Sequence, residues 1–461
     1  MLQWGGRFAN APDSQLLAFG SSLEEDLVLA AFDVECSRAH VAALRAGGII
    51  DEPQATTLQG ALQGVRDEIT DGSFAQAART GGFEDVHGAI DARVRALAGE
   101  TGEWLHAGRS RNDQVATTLL LYARDVALDG ARFCLDIAAL AEDRAAEALE
   151  RQTLIAATTH WQPAQPVLLA LWIDAVAQGF VRAAERFVRV SIDATRFCPL
   201  GSAALAGSSL PLDRRAAARE LGFAEPSRNA LDSVGDRDVA LDLLHAAMRA
   251  VVTASRASEE LVIWATPSFG TIRLDDAAST GSSLMPQKRN PDPFELVRGH
   301  GARAIGTYTA AIASTNGMAL SYHRDLQETK SLVLSGTETA LAALDAFRRA
   351  FAHVRFRHDQ PPARAGEGYT VATDLADAVI LTGRTAREAH RAVGERVVLA
   401  EEEGRDLNAE DAAALGVPDA PTDPFASVLG KRTTGSTHPD AVAASIAATR
   451  AALARLSESL P

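Results

Sequence analysis

The sequence predicts a mainly α protein, with a central long-helix bundle flanked by smaller N- and C-terminal helical domains. Three observations predict it. Proline is absent between Pro53 and Pro163, between Pro226 and Pro267, and between Pro293 and Pro361, which leaves room for long unbroken helices. The stretches inside those gaps are dense in strong helix formers such as Ala, Leu, Arg and Glu. Alternating apolar and polar runs, the mark of half-buried strands, are scarce.

Residues 1–111 form the first domain, with shorter helices broken by Gly47-Gly48, Pro53 and Gly81-Gly82. Residues 112–357 form the central bundle, with five long helices. The first runs from Asp113 to about Gln152, and Gly130 is its one breaker. The second starts at Pro166. Its Leu168, Leu171, Trp172, Ala175, Gly179, Val181 and Ala183 make it apolar on much of its circumference, which suits a helix inside a bundle. The others span Arg237 to Trp264, Pro293 to Ala313, and Glu328 to Val354. The Pro/Gly-rich run HDQPPARAGEG after Arg357 marks a boundary. Residues 358–461 hold two short helices around Thr382-Gly383, a PDAPTDP loop, and a last helix from His438 to Leu456. Helices of about thirty to forty residues exceed what a small domain needs, so their apolar surface points to a homo-oligomer. One large monomeric bundle is the alternative.

The chain has 461 residues, 47% apolar and 23% charged, the composition of a soluble globular protein. A net charge of −15 disfavours nucleic acid as a partner. No run of about eighteen apolar residues occurs, so no membrane span is expected. The start, MLQWGGRFANAPDS, lacks a basic segment followed by an apolar core, so a cytoplasmic location is expected. Cys36, Cys134 and Cys198 are odd in number and widely spaced, and are expected to be small buried hydrophobes.

Polar residues cluster in the breaks between helices. Gly281 to Pro291, GSSLMPQKRNP, combines a glycine, two serines, a lysine and an asparagine just before a helix. Exposed backbone N–H groups and one ammonium suit a carboxylate ligand. Thr158 to Pro166 carries His160, an acid or base near neutral pH. Gly108 to Gln114 has two arginines, an amide and a hydroxyl. Asn112 or Asp113 there can serve as a helix N-cap, though the excess of donors fits anion binding better. Tyr322 to Lys330 is the fourth break. Of 45 basic residues only Lys288, Lys330 and Lys431 are lysines, and two of these lie in the breaks. An ammonium and a guanidinium are not interchangeable, so the coincidence points to function. Lys431 reads as a surface residue. No HExxH, Cys/His metal spacing, GxGxxG or GxSxG is present, so no metal and no cofactor is expected.

With these motifs in place, the sequence resembles the argininosuccinate lyase branch of the fumarase/aspartase superfamily over nearly its whole length. The resemblance rests on Trp4-Gly5-Gly6-Arg7-Phe8, Glu84 to His87, Gly108 to Val115, Thr159-His160, Gly281 to Asp292, Asp325 to Glu328, and Ala372 to Asp377. Gln287 before Lys288 resembles this branch in particular. The resemblance implies a homotetramer whose active sites each gather loops from three subunits. It implies reversible cleavage of argininosuccinate to arginine and fumarate. By resemblance Ser282 is the base at carbon, with Lys288 and loop N–H groups stabilising its alkoxide. His160 is on the acid side or orders the proton network, and Glu295 orients it. The substrate contacts carried over are Ser22, Asn112, Thr159, Asn290, Tyr322, Gln327 and Lys330, with Ser110, Arg111, Ser283 and Lys288 as further carboxylate holders. Asp85 and His87 lie near the site or are structural. Several residues depart from the pattern: Thr158 stands where a tyrosine is usual, Trp161 where leucine is usual, Pro163 where a basic residue is usual, and His323-Arg324 where Asn-Lys is common. A sibling lyase releasing fumarate from another succinyl-amine is the second reading, and a non-catalytic structural protein the third.

Overall fold

The computed structural model describes residues 13–460. The Trp4–Phe8 motif lies outside them. The expected helices are present: Arg111–Glu150, Leu169–Asp193, Asp238–Trp264, Asp292–Thr315 and Leu326–Ala352 are the five long ones. The chain divides into two compact units, and the division falls inside every one of the five. Unit 1 comprises residues 1–131, 186–249 and 300–342. Unit 2 comprises 132–185, 250–299 and 343–461. Among the described residues, no helix is long and apolar enough to cross a membrane.

One local expectation needs correction. The Thr158–Pro166 break is a β-hairpin, formed by β1 (Leu154–Thr159) and β2 (Gln162–Leu168), and the following helix begins at Leu169. Two prolines in β2 keep its chain extended, since a residue before proline disfavours the helical region. The ladder register shifts between Ala157 and Thr158, opposite Pro163, which has no N–H to give.

In unit 1 the Gly130 anomaly has a packing cause. A Cβ at Gly130 would sit 2.6 Å from the Phe187 ring, so only glycine admits that ring. Tyr122 donates to or accepts from Thr337, at 2.7 Å, tying two long helices together. Cys36 and Cys198 are fully buried in an apolar cluster with Leu121, Leu200 and Phe223, and Cys134 is buried too.

Unit 2 has an aromatic core. Phe347 packs on Phe180, Phe294 and Phe351, with ring centroids 5.5, 6.0 and 5.6 Å away. Lys431 is not a free surface residue. Its ammonium lies 2.7 Å from Asp374, whose other oxygen accepts from Ser427 at 2.6 Å. The pair joins helix Ala372–Leu381 to the end of helix Pro424–Gly430.

A buried acid pair also lies in unit 2. Asp174 accepts hydrogen bonds from Gln178 (2.8 Å), Ser445 (2.6 Å) and Thr449 (2.9 Å). Glu142 is buried beside it, and burial together with the Asp174 charge pushes its carboxyl up to about 8. Asp143 adds to this rise and Arg450 opposes it. At neutral pH the folded chain therefore holds a proton on Glu142 that the unfolded chain, near the ordinary 4.5, does not. Between those two values the native state binds more protons, so stability falls as pH rises. Glu142→Gln keeps a hydrogen-bond donor toward Asp174 without needing the proton. It is expected to flatten the pH dependence of the melting temperature and to melt above the wild type at about pH 9. Parallel slopes would refute the protonated Glu142.

Candidate active site

Unit 1 gathers one group of the expected residues. Ser22 precedes the short helix Leu23–Asp26 and is buried; its hydroxyl donates to Asp26 at 2.6 Å. Lys330, on the Leu326–Ala352 helix, places its ammonium 2.5 Å from Asp26 and donates to Ser22 at 3.4 Å. Arg111 pairs with Asp85 at 3.0 Å, and Asp85 caps the Val86–Ala98 helix by accepting from Gly88 at 2.7 Å. Burial would raise the Asp85 carboxyl, but His87, Arg111 and Lys330 nearby hold it below its ordinary value. Tyr322 is pushed up by burial, against the pull of Arg324 and Arg237. Gln327 donates to the carbonyl of Gly20 at 3.3 Å, and Arg324 reaches that carbonyl and Glu84 at 2.5 and 2.6 Å.

Ser22, Arg111, Tyr322, Gln327 and Lys330 thus share one neighbourhood. Ser110 and Asn112 flank Arg111 at the start of the Arg111–Glu150 helix. The Ser110 hydroxyl accepts from the N–H of Asn112 at 3.3 Å, and the Asn112 amide donates to the carbonyl of Ala204 at 2.9 Å. The helix already begins at Arg111, so neither Asn112 nor Asp113 is its N-cap. The Asp113 carboxylate accepts from the N–H groups of Ser110, Gly201 and Ala203, and burial pushes it up to about 6. His87 is buried beside Asp85, with Nδ1 2.9 Å from Asp33 and Nε2 without a hydrogen-bond partner among the described residues.

Two residues of this neighbourhood were not singled out from the sequence. Asp26 holds Lys330, and the buried guanidinium of Arg237 has Nε and Nη2 without a hydrogen-bond partner among the described residues. The cations Arg111, Arg237, Arg324 and Lys330 are nearly matched by Asp26, Glu84 and Asp85. The neighbourhood is therefore of mixed charge, suited to a ligand bearing both signs.

Unit 2 holds the other group. The loop from Gly281 to Arg289 is closed by a reciprocal backbone pair, Thr280 to Asn290, at 3.1 and 2.9 Å. Asn290 also reaches the Thr280 hydroxyl and the Gly281 carbonyl, both at 3.4 Å. Within the loop the Ser282 hydroxyl oxygen accepts from the N–H groups of Leu284 (3.2 Å) and Met285 (3.0 Å). Two such donors favour a negative charge on that oxygen. Ser283 and Lys288 are exposed, and the Lys288 ammonium has no partner among the described residues. Arg289 is anchored by Asp276. Glu295 is exposed on the first turn of the Asp292–Thr315 helix.

Thr159 ends β1, and His160 with Trp161 forms the two-residue turn of the hairpin. Both turn residues have positive φ, 55° and 61°, where Asn-Gly is the usual choice. The left-handed conformation costs about 1–2 kcal/mol for each such residue. That cost projects His160 at an exposed tip. Among the described residues, no hydrogen bond joins His160 to Ser282, Lys288 or Glu295 within unit 2.

A lyase family model matches residues 6–306, and an argininosuccinate lyase C-terminal model matches residues 369–427. The argininosuccinate lyase of Acidothermus cellulolyticus is 40% identical, with 98% of this chain and 94% of that protein covered. The enzyme of that name from Halorhodospira halophila is also 40% identical, over 88% of this chain and 86% of its own length. A crystal structure of EDDS lyase in complex with formate shares the fold, with TM-score 0.79, 24% identity, and 98% and 96% of the two chains covered. By sequence along nearly its full length, the chain belongs to the argininosuccinate lyase family.

Proposed function

We propose that the protein catalyses the reversible elimination of argininosuccinate to L-arginine and fumarate, a step of arginine biosynthesis. The observation that carries the reading is the Ser282 oxygen, held by two backbone N–H donors in the loop that also carries the exposed Lys288. A serine alkoxide is a competent base only where such charge stabilisation exists. It takes the proton from the carbon next to a succinyl carboxylate. The electrons of that C–H bond form the double bond of fumarate, and the C–N pair leaves with the guanidine nitrogen, which takes up a proton. His160 with Glu295 serves the acid side or orders that proton network.

Each group, taken by itself, suits a different part of the substrate. Ser282, Ser283, Lys288, Asn290 and Thr159 offer donors and a positive charge to the succinyl carboxylates. Ser22, Ser110, Arg111, Asn112, Tyr322, Gln327 and Lys330, with Asp26 and Asp85 beside them, suit the zwitterionic amino-acid end. No metal or cofactor enters this scheme.

We further propose a homotetramer with sites shared between subunits, in the cytoplasm. The Asp292–Thr315 helix supports it: Leu296, Ile305 and Ile312 are 65%, 49% and 45% exposed, and Gly299 and Gly306 have open space beside them. Small residues and apolar side chains on one helix suit packing against other helices. Sedimentation is expected to report four chains, and a stable monomer would refute it. The functional test is fumarate release from argininosuccinate, followed by ultraviolet absorbance. Rapid release is expected. Release from adenylosuccinate alone would move the reading to a sibling lyase, and no release from either to a non-catalytic role.

A further inference from the structure

Thr158, Trp161 and Pro163, three of the positions that depart from the family pattern, line a single cavity in unit 2. It measures about 200 Å³, and its other walls include Trp264, Phe269 and Arg357. Two of the chain's five tryptophans thus face the same space. Threonine at 158 leaves open a volume that a larger ring would take up. The cavity is smaller than the roughly 300 Å³ and above of ordinary ligand sites, so it suits one small ring system rather than argininosuccinate.

The wall is firmly built. Arg364 donates to Gln360 (2.6 Å) and to the carbonyls of Ser268 (3.0 Å) and Phe269 (2.7 Å). Gln360 in turn donates to the carbonyl of Gly270 at 2.8 Å. Arg357 uses Nε and Nη2 on Asp359, at 3.1 and 2.9 Å, and among the described residues its Nη1 makes no hydrogen bond. Aromatic walls and a spare guanidinium nitrogen recognise a flat ring bearing a carboxylate.

We propose that this cavity binds a small aromatic carboxylate, its ring against Trp161 and Trp264 and its carboxylate toward Nη1 of Arg357. Trp161 is the second residue of the strained turn whose first is His160. A ligand that stacks on Trp161 therefore holds the turn that presents His160, and occupancy changes turnover. That consequence rests on the catalytic reading of His160, whereas the binding itself does not.

The test is titration of the full-length protein with indole-3-carboxylate, read by calorimetry and tryptophan emission, with neutral indole and acetate as comparison probes. One saturable site per chain is expected, with the acid bound about tenfold more tightly than either comparison probe. Trp161→Leu is expected to weaken binding about tenfold. Thr158→Tyr is expected to abolish it by filling the cavity. Arg357→Gln is expected to remove the preference for the acid over indole. Melting curves check that each variant folds, and the wild-type titration stands without them. Absence of saturable binding overturns the proposal. So does binding that persists unchanged in Trp161→Leu and Thr158→Tyr, or that fumarate displaces competitively, since either puts the probe in another site. Binding is measured without turnover, so failure to release fumarate from argininosuccinate leaves this result readable.

Discussion

Ser282→Ala is expected to cut fumarate release by about a thousandfold or more, the scale of losing a positioned base. The variant is expected to keep its helical circular dichroism, melting temperature and assembly. The physical reason is the loop itself. Among the described residues Ser282 bonds only the N–H groups of its own loop, Leu284 near it is 84% exposed, and the loop is closed independently by the Thr280–Asn290 pair. Removing the hydroxyl therefore leaves the packed core untouched. Near-normal turnover from a folded Ser282→Ala protein would end the assignment of Ser282 as base.

Asp26→Ala should have the largest effect on stability. Asp26 is fully buried and is the carboxylate paired with the buried Lys330 ammonium, at 2.5 Å. Removing one partner of a buried pair leaves the other charge uncompensated, at a cost of about 3–5 kcal/mol. It also frees the Ser22 hydroxyl, which donates to the same carboxylate. A large fall in denaturation midpoint and a rise in KM for argininosuccinate are expected together. The double variant Asp26→Leu with Lys330→Met separates the two effects. Replacing both charges with apolar groups of similar size restores stability. Activity stays lost if Lys330 binds substrate. Recovery of activity in the double variant would reduce Lys330 to a structural ion.

The helices were legible because their signals are local. Proline-free stretches of helix formers gave five long helices, and the ends fell within a few residues of expectation. The Asp113 segment starts at Arg111 and ends at Glu150, and the last helix runs from Pro439 to Ser459. The hairpin was not legible. Its His160-Trp161 turn lacks the Asn or Gly that normally marks positive φ, and its second strand carries two prolines and two glutamines instead of an alternating pattern. What closes the turn is the pairing of Thr159 with Gln162 across the hairpin.

Sequence alone determined the fold class, the family and the motif residues, because helix propensity, the scarcity of lysine and the GSSLMPQKRNP loop are read along the chain without knowing which residues meet in space. Tertiary structure alone decided what those residues do for one another. Asp26 meets Lys330 across some three hundred positions, Glu142 meets Asp174 through burial, and Lys431 meets Asp374. Gly130 is required because Phe187 lies against it. Each of these depends on distance and desolvation, which act through space and leave no periodic trace along the chain.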